Sequence, residues 1–243
     1  MKRVALYLCC FIAACTSRVE PVDPLPQPTG WTAVLIAGDN KTPAFDNAVD
    51  VMAEKLKSYG VDAKDIVTLK ASADGTAAAT RSNIDRAFTN LAPAAGQGCF
   101  VFVTSHGTYG RGLVLAASRT NLSPGNLDDL LDRQCGDRPT VVIASGCFSG
   151  IYTSSRSMQA ANRIILTAAR SDRTSFGCGA SSLLTVFDYC ILTGIDQGLS
   201  WQAVMEKTRG CVTRYEEEAH LHPPSSPQIF VGQAMERQTA FPP

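Results

Sequence analysis

Between positions 31 and 231 the chain alternates short, wholly apolar, β-rich runs with longer amphipathic ones. Residues 31–37 (WTAVLIA) are apolar and close on Gly38-Asp39-Asn40, a strand followed by a turn. Thr42 then caps a helix with Pro43 at its first position; Phe45, Val49, Met52, Leu56 and Tyr59 form one apolar stripe, and Gly60 ends it. Residues 66–69 read as a second strand and 82–91 as the next helix, stopped by Pro93 and Gly96. The run 99–104 (CFVFVT) has no polar alternation, which suits a strand covered on both faces, as in parallel sheets. A local β excursion is expected over 113–117, and Ser123-Pro124 opens a helix through Leu127, Leu130 and Leu131. Residues 140–144 (TVVIA) and 163–168 (RIILTA) give two more buried strands, 183–195 and 200–215 two more helices, and 228–231 a last short strand beyond Pro223 and Pro224. This alternation predicts an α/β layer sandwich.

The first thirty residues break that pattern. Lys2 and Arg3 precede an apolar run over 4–14 that is too short to span a bilayer, which is the form of an export signal. The run ends Ile12-Ala13-Ala14-Cys15, which resembles a bacterial lipobox, so Cys15 is expected to carry lipid and anchor the chain to a membrane. Thr16 behind it, rather than an aspartate, leans the expected address towards the outer membrane, facing the periplasm. Residues 15–29 hold four prolines and read as an extended tether, able to reach on the order of 40 Å at polyproline spacing. The expected organisation is therefore a signal over 1–14, a lipidated tether over 15–29, and one folded domain over 30–243.

Charge removes one class of partner. Lys+Arg and Asp+Glu balance at 22 each with no basic cluster, so nucleic acid is not an expected partner. His220 and His222 stand in a proline-bounded loop with no CxxC, HExxH or carboxylate cluster near them, so neither metal nor cofactor is expected. Beyond Cys15 and Cys147 the exported chain would keep Cys99, Cys135, Cys178, Cys190 and Cys211, an odd number in an oxidising compartment. Several lie in apolar runs, where a small buried thiol is the default expectation.

The chemistry gathers at two strand ends: VFVTS leads into His106-Gly107, and VVIAS into Gly146-Cys147. In open α/β sheets the loops at the carboxyl ends converge, so two neighbouring parallel strands would bring imidazole and thiol into one crevice. A neighbouring imidazole favours the thiolate, which attacks a carbonyl, and then protonates the departing amine. An α/β-hydrolase elbow is disfavoured, since it wants glycine two residues either side of the nucleophile where Ser145 and Ser149 stand.

His-Gly after one apolar block and Cys-x-Ser-Gly after the next resembles the caspase-like clan. A longer resemblance, to the legumain-like C13 peptidases, runs through residues 31–38, Ser105-His106-Gly107, residues 146–150 and residues 167–178. It implies a caspase-like three-layer sandwich, with a mostly parallel central sheet of about six strands and helices on both faces. It also implies a cysteine endopeptidase with a Cys147/His106 dyad, an oxyanion site from the N–H groups of Gly107 and Cys147, and protein or peptide substrates. The same resemblance makes 168–178 a wall of the S1 pocket, with Ser175 on it. Where legumains read asparagine with an arginine, a glutamate and an aspartate, this chain has Asp46, Ser145 and Ser181. A carboxylate at Asp46 is expected to favour a basic P1 side chain by a charge-assisted hydrogen bond. Two alternatives share these residues: a transpeptidase or ligase on the same dyad, and a non-catalytic caspase-like binding module of the cell envelope.

Overall fold

The computed structural model describes residues 22–91, 93–179 and 181–241. The elements run β1 (Gly30–Ala37), α1 (Pro43–Ser58), β2 (Ile66–Lys70), α2 (Arg81–Asn90), β3 (Gln97–Thr104), β4 (Gly107–Thr108), β5 (Gly112–Leu115), β6 (Thr120–Leu122), α3 (Pro124–Gln134), β7 (Thr140–Ser145), α4 (Ile151–Ser154), β8 (Arg163–Thr167), α5 (Val186–Gly194), α6 (Trp201–Glu218) and β9 (Gln228–Val231). The longer helices begin where short polar side chains satisfy their first free N–H groups. Thr42, Thr80, Ser123, Thr185 and Ser200 each accept a backbone hydrogen bond from the first turn of their helix.

Six strands form one sheet in the order β2-β1-β3-β7-β8-β9. All neighbours are parallel except β8 and β9, which run antiparallel. Side chains alternate between two apolar layers. Phe100 and Phe102 of β3 and Val141 and Ile143 of β7 pack under α1, α5 and α6. Cys99, Val101 and Val103 of β3 and Val142 and Ala144 of β7 pack with α2 and α3. Both faces being covered explains why the central strands carry no polar alternation. The expected three-layer α/β sandwich with a mostly parallel six-stranded sheet is the fold of the protein.

Several local expectations change. A separate three-stranded antiparallel sheet, β4-β5-β6, replaces the single excursion expected over 113–117, whose second half is a 3-10 turn, Ala116–Ser118. The α4 turn directly after Cys147 carries no apolar periodicity to announce it. Four of the five cysteines whose pairing the sequence leaves open form disulfides: Cys99–Cys135 joins β3 to the end of α3, and Cys190–Cys211 joins α5 to α6. Their partners are far apart in sequence, so only the packing of the two layers pairs them.

The described part of the stretch read as tether lies against the domain. Leu25 N–H donates to the Ala234 carbonyl at 2.9 Å, and Gln238 Nε2 donates to the Leu25 carbonyl at 2.7 Å. Thr29 N–H donates to the Gly96 carbonyl at 2.9 Å. The signal segment and Cys15 lie outside the described residues.

Candidate active site

Chain order in the sheet reverses between β1 and β3, which opens a crevice above the carboxyl ends of the strands. Thr104 at the end of β3 is the register partner of Ser145 at the end of β7. His106 and Cys147 each stand two residues further on, so the two chain segments reach the crevice in step. Residues two apart share a face of a sheet, and the His106 ring meets Phe45 of α1 edge-on, with centroids 5.2 Å apart. The dyad therefore emerges on the α1/α5 side.

After β3 and β7 the two segments stay in contact through backbone. A Cβ on Gly107 would stand 1.8 Å from the Cys147 carbonyl oxygen, so only glycine allows this approach. Among the described residues the Cys147 N–H has no acceptor. Phe148 follows with φ at 59°, a left-handed conformation that costs a side-chain-bearing residue about 1–2 kcal/mol. Two contacts hold it there: its N–H donates to the Arg173 carbonyl at 2.7 Å, and its ring meets that of Tyr109 edge-on at 5.5 Å. Gly150 is required in its turn, because a Cβ there would stand 2.4 Å from the Ser171 nitrogen. The nucleophile turn and the 168–178 segment are thus locked together.

That locking puts Ser175 closer to the chemistry than a pocket wall. Its N–H donates to the Cys147 Sγ at 3.3 Å, its hydroxyl lies 3.8 Å from the sulfur, and its carbonyl oxygen lies 3.6 Å away. A donor and an acceptor on one residue accommodate both thiolate and thiol. Among the described residues, Ser175 supplies the hydrogen-bond partners of the Cys147 sulfur, and none comes from the His106 imidazole. Cys178, the other free cysteine among the described residues, is half-buried. Burial pushes its thiol pKa up, and the charge of Cys147 adds to the effect.

The other expected pocket residues fall differently. Asp46 takes a hydrogen bond from Ser72, beyond β2; its Oδ1 has no partner, and no contact ties it to Cys147 or Ser175. Ser145 is buried at the end of β7 and lies against the carboxylate of Asp188. Ser181 is exposed, as are His220 and His222 in the loop after α6. Clefts elsewhere do not include the dyad: a groove of about 840 Å3 runs along α5 and α6, from Tyr189 to Glu217. His106 and Cys147 are both half-buried at the strand ends.

Sequence reasoning missed Asp188. A signal was present, since it is the sole charged residue in the otherwise apolar VFDYCILTG of α5. Phe45 was read as core, and its contact with His106 follows only from the docking of α1 beside the strand ends.

Fold and site together define a class: a caspase-like α/β domain with histidine and cysteine at the ends of adjacent parallel strands. The solved structure of caspase-1 from Spodoptera frugiperda is similar in fold, with a TM-score of 0.62 at 15% identity, covering 87% of this chain and 92% of that one. The family model described as "Peptidase C13 family" matches residues 91–192, the stretch that holds both dyad residues and the 168–178 segment. That match and the fold together support a C13, legumain-like and caspase-like kinship. No functionally curated protein matches the sequence. The family and the fold support a protease-type function acting on protein or peptide substrates.

Proposed function

We propose that the chain is a cysteine endopeptidase with Cys147 as nucleophile and His106 as general acid and base. The Cys147 thiolate attacks the scissile carbonyl carbon, forming a C–S bond, while the N–H groups of Cys147 and Gly107 receive the oxyanion. As the C–N bond breaks, His106 protonates the leaving amine. It then takes a proton from the water that hydrolyses the thioester and restores the thiol. The observation that carries this reading is the shared step of the two segments, two residues beyond the Thr104–Ser145 register pair.

The test is cleavage of a peptide library by the chain from Thr16 onward. Cleavage abolished in both Cys147→Ala and His106→Ala is expected; uncleaved libraries with the unaltered protein would refute it. For P1, the carboxylate that Asp46 brings where legumains carry an arginine is the basis for a preference for Arg or Lys. A P1 ranking unchanged by Asp46→Asn would remove that preference. Lipid attachment at Cys15 and a periplasm-facing envelope location belong to the same reading. The two disulfides favour them, since such bonds persist in oxidising compartments.

A further inference from the structure

Asp188 is wholly buried in the first turn of α5, where three segments of the site meet. Thr104, two residues before His106, donates its hydroxyl to Oδ2 at 2.7 Å. The hydroxyls of Ser145, two residues before Cys147, and of Thr185 approach the carboxylate as well. Thr185 is the N-cap of α5 and ends the loop that carries Ser175. The Ser105 N–H to Ser145 carbonyl bond, 3.0 Å, lies at the same level. Past it β3 turns away into the β4-β5-β6 hairpins and β7 into the strained turn at Phe148. The ladder therefore ends just below the dyad, and Asp188 grips its last rung from the side. Its Oδ1 has no partner at hydrogen-bond length. A buried carboxylate in that condition is a poor choice for stability alone, since an apolar residue would pack there at less cost.

We propose that Asp188 is a positioning residue for the dyad, an inference that rests on the peptidase reading. It clamps the ends of β3 and β7 to the start of α5, so that imidazole, thiol and the Ser175 segment keep one geometry. Burial raises its pKa to about 6, the three hydroxyls lowering it only in part, and no charged group contributes. His106 and Cys147 are the titratable groups on the two strand ends that it joins. Of the ionisable side chains of α1 and α6, four are turned to other partners: Asp46 to Ser72, Asp50 to Lys70, Lys207 to Asp196 and Glu216 to Ser225.

The experiment compares Asp188→Asn with the unaltered protein in two readouts. The first is kcat and KM on a cleaved peptide across pH 4.5–8, and the second is the rate of iodoacetamide labelling at Cys147, read by peptide mass over the same range. A misplaced dyad is expected to lower kcat about 10- to 100-fold with KM changed less than about 2-fold. The step near pH 6 should vanish from both profiles. Thr104→Val and Ser145→Ala should give the same signature in smaller measure. A folded Asp188→Asn with unaltered kcat and labelling profile overturns the proposal. If Asp188→Asn does not fold, the two hydroxyl variants decide, and unaltered behaviour in both overturns it. If the unaltered protein cleaves no peptide, the peptidase reading fails, while the labelling profiles still decide whether Asp188 sets the reactivity of Cys147.

Discussion

At Gly107 the backbone lies so close to Cys147 that a single methyl group would force the two segments apart. Gly107→Ala is therefore expected to cut kcat/KM by about 100-fold or more, the scale of losing one oxyanion donor. A circular-dichroism melt separates this loss from unfolding. Asp188 makes a prediction of opposite kind, about stability. Its carboxyl binds a proton up to about pH 6 when folded, against an ordinary value of 3.8. Between those values the folded state holds a proton that the unfolded state has released, so the stabilisation present below pH 3.8 is lost as pH rises through 6. Relative to Asp188→Asn, the unaltered protein should lose on the order of 3 kcal/mol between pH 4 and 7. Urea titrations of both proteins across that range measure it, and parallel curves would contradict it. At this scale the dyad was legible in the sequence because each member ends an apolar run beside a glycine. Asp188 was not, because the three hydroxyls around it come from positions 104, 145 and 185.

Helices and strands were read well where periodicity and caps agreed. Thr42-Pro43 and Ser123-Pro124 mark the starts of α1 and α3 unambiguously. The start of α5 was read at 183, but the helix begins at Val186, because Thr185 caps it by accepting from the Asp188 N–H at 3.0 Å. The two- to four-residue strands of the β4-β5-β6 sheet are too short to show a period. The α5–α6 pair, which carries Asp188, is stapled by Cys190–Cys211, closing a loop of 21 residues. Replacing both cysteines by alanine is expected to lower stability by about 3 kcal/mol, measured by denaturant unfolding under oxidising conditions. Equal stability with and without reductant in the unaltered protein would argue that the bond contributes nothing.

Across the whole molecule, parallel strands give the domain two unlike ends. The segment Leu25 to Thr29 is held at the amino ends of β1 and β3, beside Gly96, and the dyad lies at their carboxyl ends. Eight strand residues separate the two ends by roughly 26 Å. The described residues 22–29 thus meet the domain at the end opposite His106 and Cys147. Cys15→Ser is expected to move the protein from the membrane to the soluble fraction while leaving kcat/KM on a soluble peptide unchanged within about 2-fold. Continued membrane association of the variant would count against the anchor.

The sequence alone determined the layered α/β fold and singled out His106 and Cys147 as candidates, because buried parallel strands need unbroken apolar runs and the loops that follow them converge. Tertiary structure alone decided which cysteines pair, that Ser175 touches Cys147 while no contact ties Asp46 to it, and that Asp188 joins the strand ends below His106 and Cys147. Each of these depends on side chains distant in the chain meeting across layers, and no local pattern encodes the layer against which a helix will pack.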